Sequence, residues 1–222
     1  MGRLALTGAT LRGMRSANAV TGQDVRQVVT LAVGTLRQVS PDAWHAPAAE
    51  LDWTRWETAE HVANVLFTYA VRFGLAQPPV SGLMPFRPRA DRDDGPQTII
   101  STDPESGPEG LLTILEACGG LLASVQHTAD PATVAYHVYG PSNPEGFAAM
   151  GIVETLVHTH DVLQGLDVRW SPPRGACERV LRRIFPHVTV DGDAWEVLLW
   201  ATGRAELPGR PRLTEWRWYG EG

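Results

Sequence analysis

Apolar residues recur at close to the helical period in four long stretches of the chain, and a different pattern follows them. Val25, Val28, Val29, Leu31, Ala32, Leu36 and Val39 are spaced near the helical period, which predicts a helix from about Gly22 to Val39, ending before Ser40, Pro41 and Asp42. A second helix opens at Asp52–Thr54, where Thr54 and Glu57 have the spacing of a capping box, and carries Ala59, Val62, Ala63, Leu66, Ala70 and Phe73 as its stripe. A third runs from about Pro108 or Glu109 to His127 with leucines at helical spacing. The fourth starts behind Asn143, with Pro144 suited to the first helical position, and Gly165 fits its end.

The connecting segments read differently. Gln77 to Gln97 is a Pro-rich connector bearing Arg87, Arg89, Arg92 and several Asp residues, and irregular segments of that length are often functional. Thr133–Tyr139 has the pattern of a short strand or an extended segment. Beyond Gly165 two shorter helices are expected, Pro173–Val188 and Asp193–Gly203. Thr214–Tyr219 then alternates as a strand does, with Val168–Trp170 or the 133–139 segment as its partner. The expected architecture is mainly α: a four-helix bundle over 21–167 and a small mixed α/β C-terminal lobe over 168–222. The stretch before Val20 reads as loosely ordered, with Met14 as an alternative start.

The chemistry is concentrated in the fourth helix, in the run Glu154-Thr-Leu-Val-His158-Thr-His-Asp161. Residues four apart lie one above the other, so Glu154 and His158 share a face, and Asp161 falls on the same stripe. Ala149, Ile152, Val153, Leu156, Val157, Val162 and Leu163 surround them, so the helix is expected to be buried on most sides. A buried polar group is costly unless something satisfies it. A metal ion would do so here, and so would a plain Glu–His hydrogen bond inside a bundle. Asp161 could orient a ligand histidine, act as a base, or hydrogen-bond a loop.

Composition narrows the classes. The chain has 222 residues and a formal net charge of −6, which supplies no basic footprint for nucleic acid. All nineteen basic residues are Arg, which removes Schiff-base lysine and the phosphate-loop lysine from consideration. Cys118 and Cys177 are far apart and lack metal-ligand spacing, so they read as reduced thiols of a cytoplasmic protein. Leu4-Ala-Leu is too short a run for a signal peptide, and no membrane span is expected.

Trp53, Thr54, Glu57 and His61, in the order W-T-x-x-E-x-x-x-H, resemble the signature that opens the second helix in the mycothiol-dependent maleylpyruvate isomerase family, within the wider DinB-like metal-binding four-helix proteins. The run from Glu154 to Asp161 is similar to that family's second signature, and Asp193-Ala-Trp through Leu199-Trp-Ala-Thr-Gly-Arg204 to its C-terminal segment. The likeness spans residues 21 to 205. It implies His61, Glu154 and His158 as ligands of a divalent metal, zinc being the first expectation, with an open fourth position. On its own helix His61 lies beside Thr58, Val65 and Thr68, away from the apolar centre, and by pattern alone it is either a pocket wall or a half-exposed surface residue.

The resemblance also implies mycothiol or a similar small thiol as co-substrate. The expected activity is therefore thiol transfer to, or cis–trans isomerisation of, a small electrophile, with Arg87 and Arg89 free to clamp a substrate carboxylate. Two other readings stand beside it: a metal-dependent hydrolase that uses bound water, and a binding protein that sequesters a small molecule without turnover. A homodimer through an exposed helix face is compatible with such a bundle.

Overall fold

A computed structural model describes residues 18–221, and the reading of the stretch before Val20 lies mostly outside them. Six α-helices carry the described chain: α1 (Gly22–Leu36), α2 (Arg55–Val71), α3 (Gly107–Thr128), α4 (Pro144–Leu163), α5 (Arg174–Ile184) and α6 (Ala194–Ala201), with 3-10 turns at Pro41–His45, Arg72–Gly74 and Pro104–Ser106. The fold is mainly helical, as the periodicity predicts.

The helix starts follow from their caps. Thr21 and Asp24 form a capping box at α1, and Thr54 and Glu57 form one at α2, where the Thr54 N–H donates to Glu57 Oε2 at 2.8 Å and the Glu57 N–H to Thr54 Oγ1 at 3.1 Å. Asn143 caps α4 through the Gly146 N–H, with Pro144 at the first position. At the other end Gly165 has φ 75°, the left-handed conformation a helix stop requires. Helix α1 is shorter than the predicted Gly22–Val39, yet Val39 is still buried just beyond its end.

Helices α1 and α2 each pack against both α3 and α4, and α5 joins on the outside of α4, with α6 on α5. Helix α4 is therefore surrounded, which explains why its apolar residues run around its whole circumference: Phe147, Met150, Ile152, Val153, Leu156 and Val157 are all buried. Close helix approach depends on missing side chains; a Cβ on Gly22 would lie 2.2 Å from the Ala123 carbonyl oxygen of α3. Pro104–Thr128 is long and apolar enough to cross a membrane by length and composition, and its inward face, with Leu111, Leu112, Leu115 and Leu122, belongs to the core.

The mixed α/β lobe expected over 168–222 is not found: among the described residues there is no strand, only isolated bridges. The alternation expected over Thr214–Tyr219 does not appear in its burial: Trp218 alone is buried, and Trp216 and Tyr219 are exposed. Trp218 packs against His137 and Tyr139 of the 133–139 segment, and the backbone contact is the Tyr219 N–H on the Ile184 carbonyl at 2.7 Å, so no second strand completes a sheet. The 133–139 segment is extended, joined to Ser142 by one bridge at Ala135. Helix α5 stops at Ile184, short of the predicted Val188, because Pro186 disfavours helical backbone at Phe185. Val180, Leu181, Ile184, Val197 and Leu198 share one continuous core with the bundle.

Candidate metal centre

The site is assembled where the first half of α2 faces the second half of α4. Arg55, in the first turn of α2 and buried, sends its guanidinium across to the end of α4. Nε donates to the Val162 carbonyl at 2.8 Å and Nη2 to the Gln164 carbonyl at 3.1 Å, while Nη1 reaches Ala43 at 3.2 Å. The Val162 and Gln164 carbonyls at the end of α4 have no partner within the helix, and a cation at a helix C-terminus also complements its dipole. The clasp fixes α2 against α4, and His61 then comes level with Glu154 and His158.

His61, Glu154 and His158 each direct one ligand atom to a common point, all within 4.8 Å of one another. Glu154 Oε2 lies 3.1 Å from His158 Nε2 and 3.7 Å from His61 Nε2. Tetrahedral zinc with bonds of about 2.1 Å separates its ligand atoms by about 3.4 Å, so these spacings suit a divalent ion. The His61 and His158 rings meet edge to face at 5.2 Å, and Trp53 covers both, at 4.9 Å from His61. Access is retained: the His61 side chain is 21% exposed and those of Glu154 and His158 12%.

Asp161 lies behind His158, on the ring nitrogen turned away from the common point. His158 Nδ1 is 3.0 Å from Asp161 Oδ2, and Arg204 grips the same carboxylate through Nε at 2.9 Å and Nη2 at 2.6 Å. A carboxylate on the far nitrogen of a ligand imidazole fixes its tautomer and raises its basicity. Burial opposes the charge on Asp161, but the bonds to His158 and Arg204 overcome it and hold the carboxyl low. The same contest decides the other two groups. Burial would raise the Glu154 carboxyl, yet the His158 and His61 imidazoles hold it far below the usual carboxylate range. Burial would lower the His158 imidazole, and the Asp161 and Glu154 carboxylates raise it.

The connector between α2 and α3 is pinned to α2 one face round from His61. Glu57 pairs with Arg92 at 2.7 Å, buried Glu60 accepts the Thr102 N–H at 2.6 Å, and Asn64 Oδ1 accepts the Ile99 N–H at 2.7 Å. Arg87 and Arg89 are exposed on that connector, Arg89 joined through its backbone to Thr98, and among the described residues no side-chain contact links either to the triad. Both cysteines are buried and unpaired; burial pushes Cys118 up to about 11 and Cys177 to about 12, so neither thiol is ionised near neutral pH. A cleft of about 460 Å³ opens behind Asp161, lined by His160, Gln164, Arg204, Arg212 and Trp216.

Three residues escaped the sequence reading as site members. Trp53 reads as packing from sequence, and Arg204 appears only within the C-terminal resemblance. His137 has no spacing that ties it to Tyr69, whose hydroxyl lies 3.5 Å from its Nε2. Trp53 and Arg204 left a signal only through the motifs of the resemblance, and His137 left none. No family model, curated protein or solved structure matches the chain.

Proposed function

We propose that the chain is a DinB-like four-helix protein of the mycothiol-dependent maleylpyruvate isomerase type. In this reading His61, Glu154 and His158 hold a divalent cation, zinc first, and a small thiol such as mycothiol is joined to, or isomerises, a small electrophile. One observation carries it: two motifs a hundred residues apart in the chain bring three donor atoms within 4.8 Å, with a carboxylate on the far nitrogen of one imidazole. A Glu–His hydrogen bond that merely satisfied a buried pair would need neither His61 nor the Asp161–Arg204 pair.

A cation held by two imidazoles and one carboxylate, with a position left open, lowers the pKa of a thiol so that the sulfur is a thiolate near neutral pH. The chain's own residues prepare for this. Asp161 keeps the proton on His158 Nδ1, so that Nε2 offers its lone pair to the common point. Arg204 holds Asp161 ionised and in line. Trp53 covers His61 and His158 with an apolar face that limits water around them. The nucleophilic sulfur comes from outside the chain, since both cysteines are buried and protonated.

Elemental analysis of tag-free wild type beside His61→Ala, Glu154→Ala and His158→Ala tests the site. About one metal per chain, lost in each variant, is expected. Transferase and isomerase assays with and without mycothiol then test the chemistry. Turnover that persists without thiol would favour the hydrolase reading, and stoichiometric binding without turnover the sequestering one.

A further inference from the structure

The cleft behind Asp161 carries a cation that the proposed activity does not use. Of about 460 Å³, it is lined by the apolar surfaces of Leu51 and Trp216 and by two guanidiniums, those of Arg204 and Arg212. A cavity of this size accepts a small organic molecule. The two cations are placed differently. Arg204 is committed to Asp161 through Nε and Nη2, and its Nη1 donates to the Thr202 carbonyl at 3.1 Å. Its charge is matched by a buried carboxylate.

Arg212 is held firmly but neutralised loosely. Its Nε donates to the Gly203 carbonyl at 2.6 Å, which fixes the guanidinium to the backbone. Of its two terminal nitrogens, Nη2 donates to Glu50 Oε2 at 2.7 Å, and Nη1 makes no hydrogen bond among the described residues. The end of the guanidinium, where two carboxylate oxygens can bind side by side, is therefore met by one oxygen. The Glu50 side chain is 77% exposed and that of Arg212 49%, so their ion pair contributes little and exchanges readily. Glu50 also lines the cleft, and it follows a strained residue: Ala49, on the same wall, has φ 51°. The left-handed conformation costs an L-residue roughly 1–2 kcal/mol, and such conformations gather at ligand clamps.

We infer that the cleft is a binding site for a small apolar monocarboxylate, whose carboxylate takes both terminal nitrogens of Arg212 in place of Glu50 and whose body rests against Leu51 and Trp216. One negative charge is called for, because Arg204 is already matched by Asp161. Two parallel bonds replace the single bond that Glu50 makes, and apolar surface leaves water in the same step, so the exchange favours the ligand. Glu50 is then an internal stand-in for the ligand's carboxylate. None of His61, Glu154 and His158 lines the cleft, so the inference goes beyond the proposed activity and does not depend on a bound cation.

The test uses the full chain, stripped of metal with an uncharged chelator and dialysed, at neutral pH and low, constant ionic strength. Benzoate is the probe and benzamide its uncharged counterpart, and binding is read from the ligand by saturation-transfer NMR. Saturable binding of benzoate and none of benzamide is expected. Arg212→Gln abolishes it. Glu50→Gln removes the internal competitor and tightens benzoate binding by up to about fivefold, the range that an exposed ion pair allows. Both side chains are largely exposed, so the variants are expected to fold. The inference is overturned if benzoate shows no saturable binding, if benzamide binds equally, or if Arg212→Gln retains the affinity. Glu50→Gln with unchanged or weaker binding would equally overturn it, because a merely structural ion pair gives no gain on losing its carboxylate.

Discussion

Arg204 grips the Asp161 carboxylate with two parallel hydrogen bonds, Nε to Oδ1 at 2.9 Å and Nη2 to Oδ2 at 2.6 Å. A bidentate pair of this kind orients as well as attracts. What it orients is His158, whose Nδ1 lies 3.0 Å from Oδ2. A residue on the turn after α6 thereby sets the direction of an imidazole on α4.

Arg204→Met is expected to lower zinc affinity by about 10- to 100-fold without changing the ligand set, and Asp161→Asn to act similarly. Competition against a chromophoric chelator reads the affinity directly. An Arg204→Met protein with wild-type affinity would mean the relay has no hold on the metal.

Proton and cation compete for His158. In the metal-free protein the Glu154 carboxyl is depressed below 4.5, so its contribution to stability is present above that value and is lost as the pH falls through the folded pKa. The His158 imidazole is raised above 6.5, so its contribution is present below that value and is lost as the pH rises through the folded pKa. Cation binding needs Nε2 without its proton. The gap in Tm between zinc-loaded and chelated protein is therefore expected to widen from about pH 6 to about pH 8. A gap independent of pH would argue against ligation by His158.

His137 makes the opposite demand. Burial, aided by the charge of Arg72, pushes its pKa from 6.5 down to about 4. The neutral ring's contribution is complete above 6.5 and is lost as the pH falls towards 4, a penalty of at most about 3 kcal/mol. Urea unfolding of wild type and His137→Gln at pH 5 and 7 measures it. The variant should lose less stability on acidification, and equal losses would show that His137 is not the titrating group.

The Arg55 clasp is expected to be a large single contribution to the α2–α4 contact. Arg55→Met removes three bonds to carbonyls, two of them at the end of α4. The expected loss is about 3 kcal/mol in urea unfolding, together with weaker zinc binding as His61 moves from Glu154. Unchanged zinc affinity in a destabilised protein would separate the clasp from the site.

Much of the bundle was legible because its signals are local. The capping box at Thr54–Glu57, the Asn143–Pro144 start and the Gly165 stop each act within one helical turn, and each lies where the sequence puts it. Thr214–Tyr219 misled for a physical reason. Alternation reports only that one side of a segment can be buried, and here Trp218 alone is buried, against His137 and Tyr139, with no backbone ladder to a second strand.

The sequence by itself determined the helices, the starts of α2 and α4, and the common stripe of Glu154, His158 and Asp161, because caps act locally and side-chain direction on one helix follows from its period. It carried no bottom-up signal for what lies across from that stripe. His61 opposite Glu154, Arg204 behind Asp161, and the unpaired Arg72 beside Tyr69 and His137 were decided by tertiary structure alone. Those relationships join residues on different elements, and their distances depend on how whole helices pack, a property that no spacing along the chain encodes.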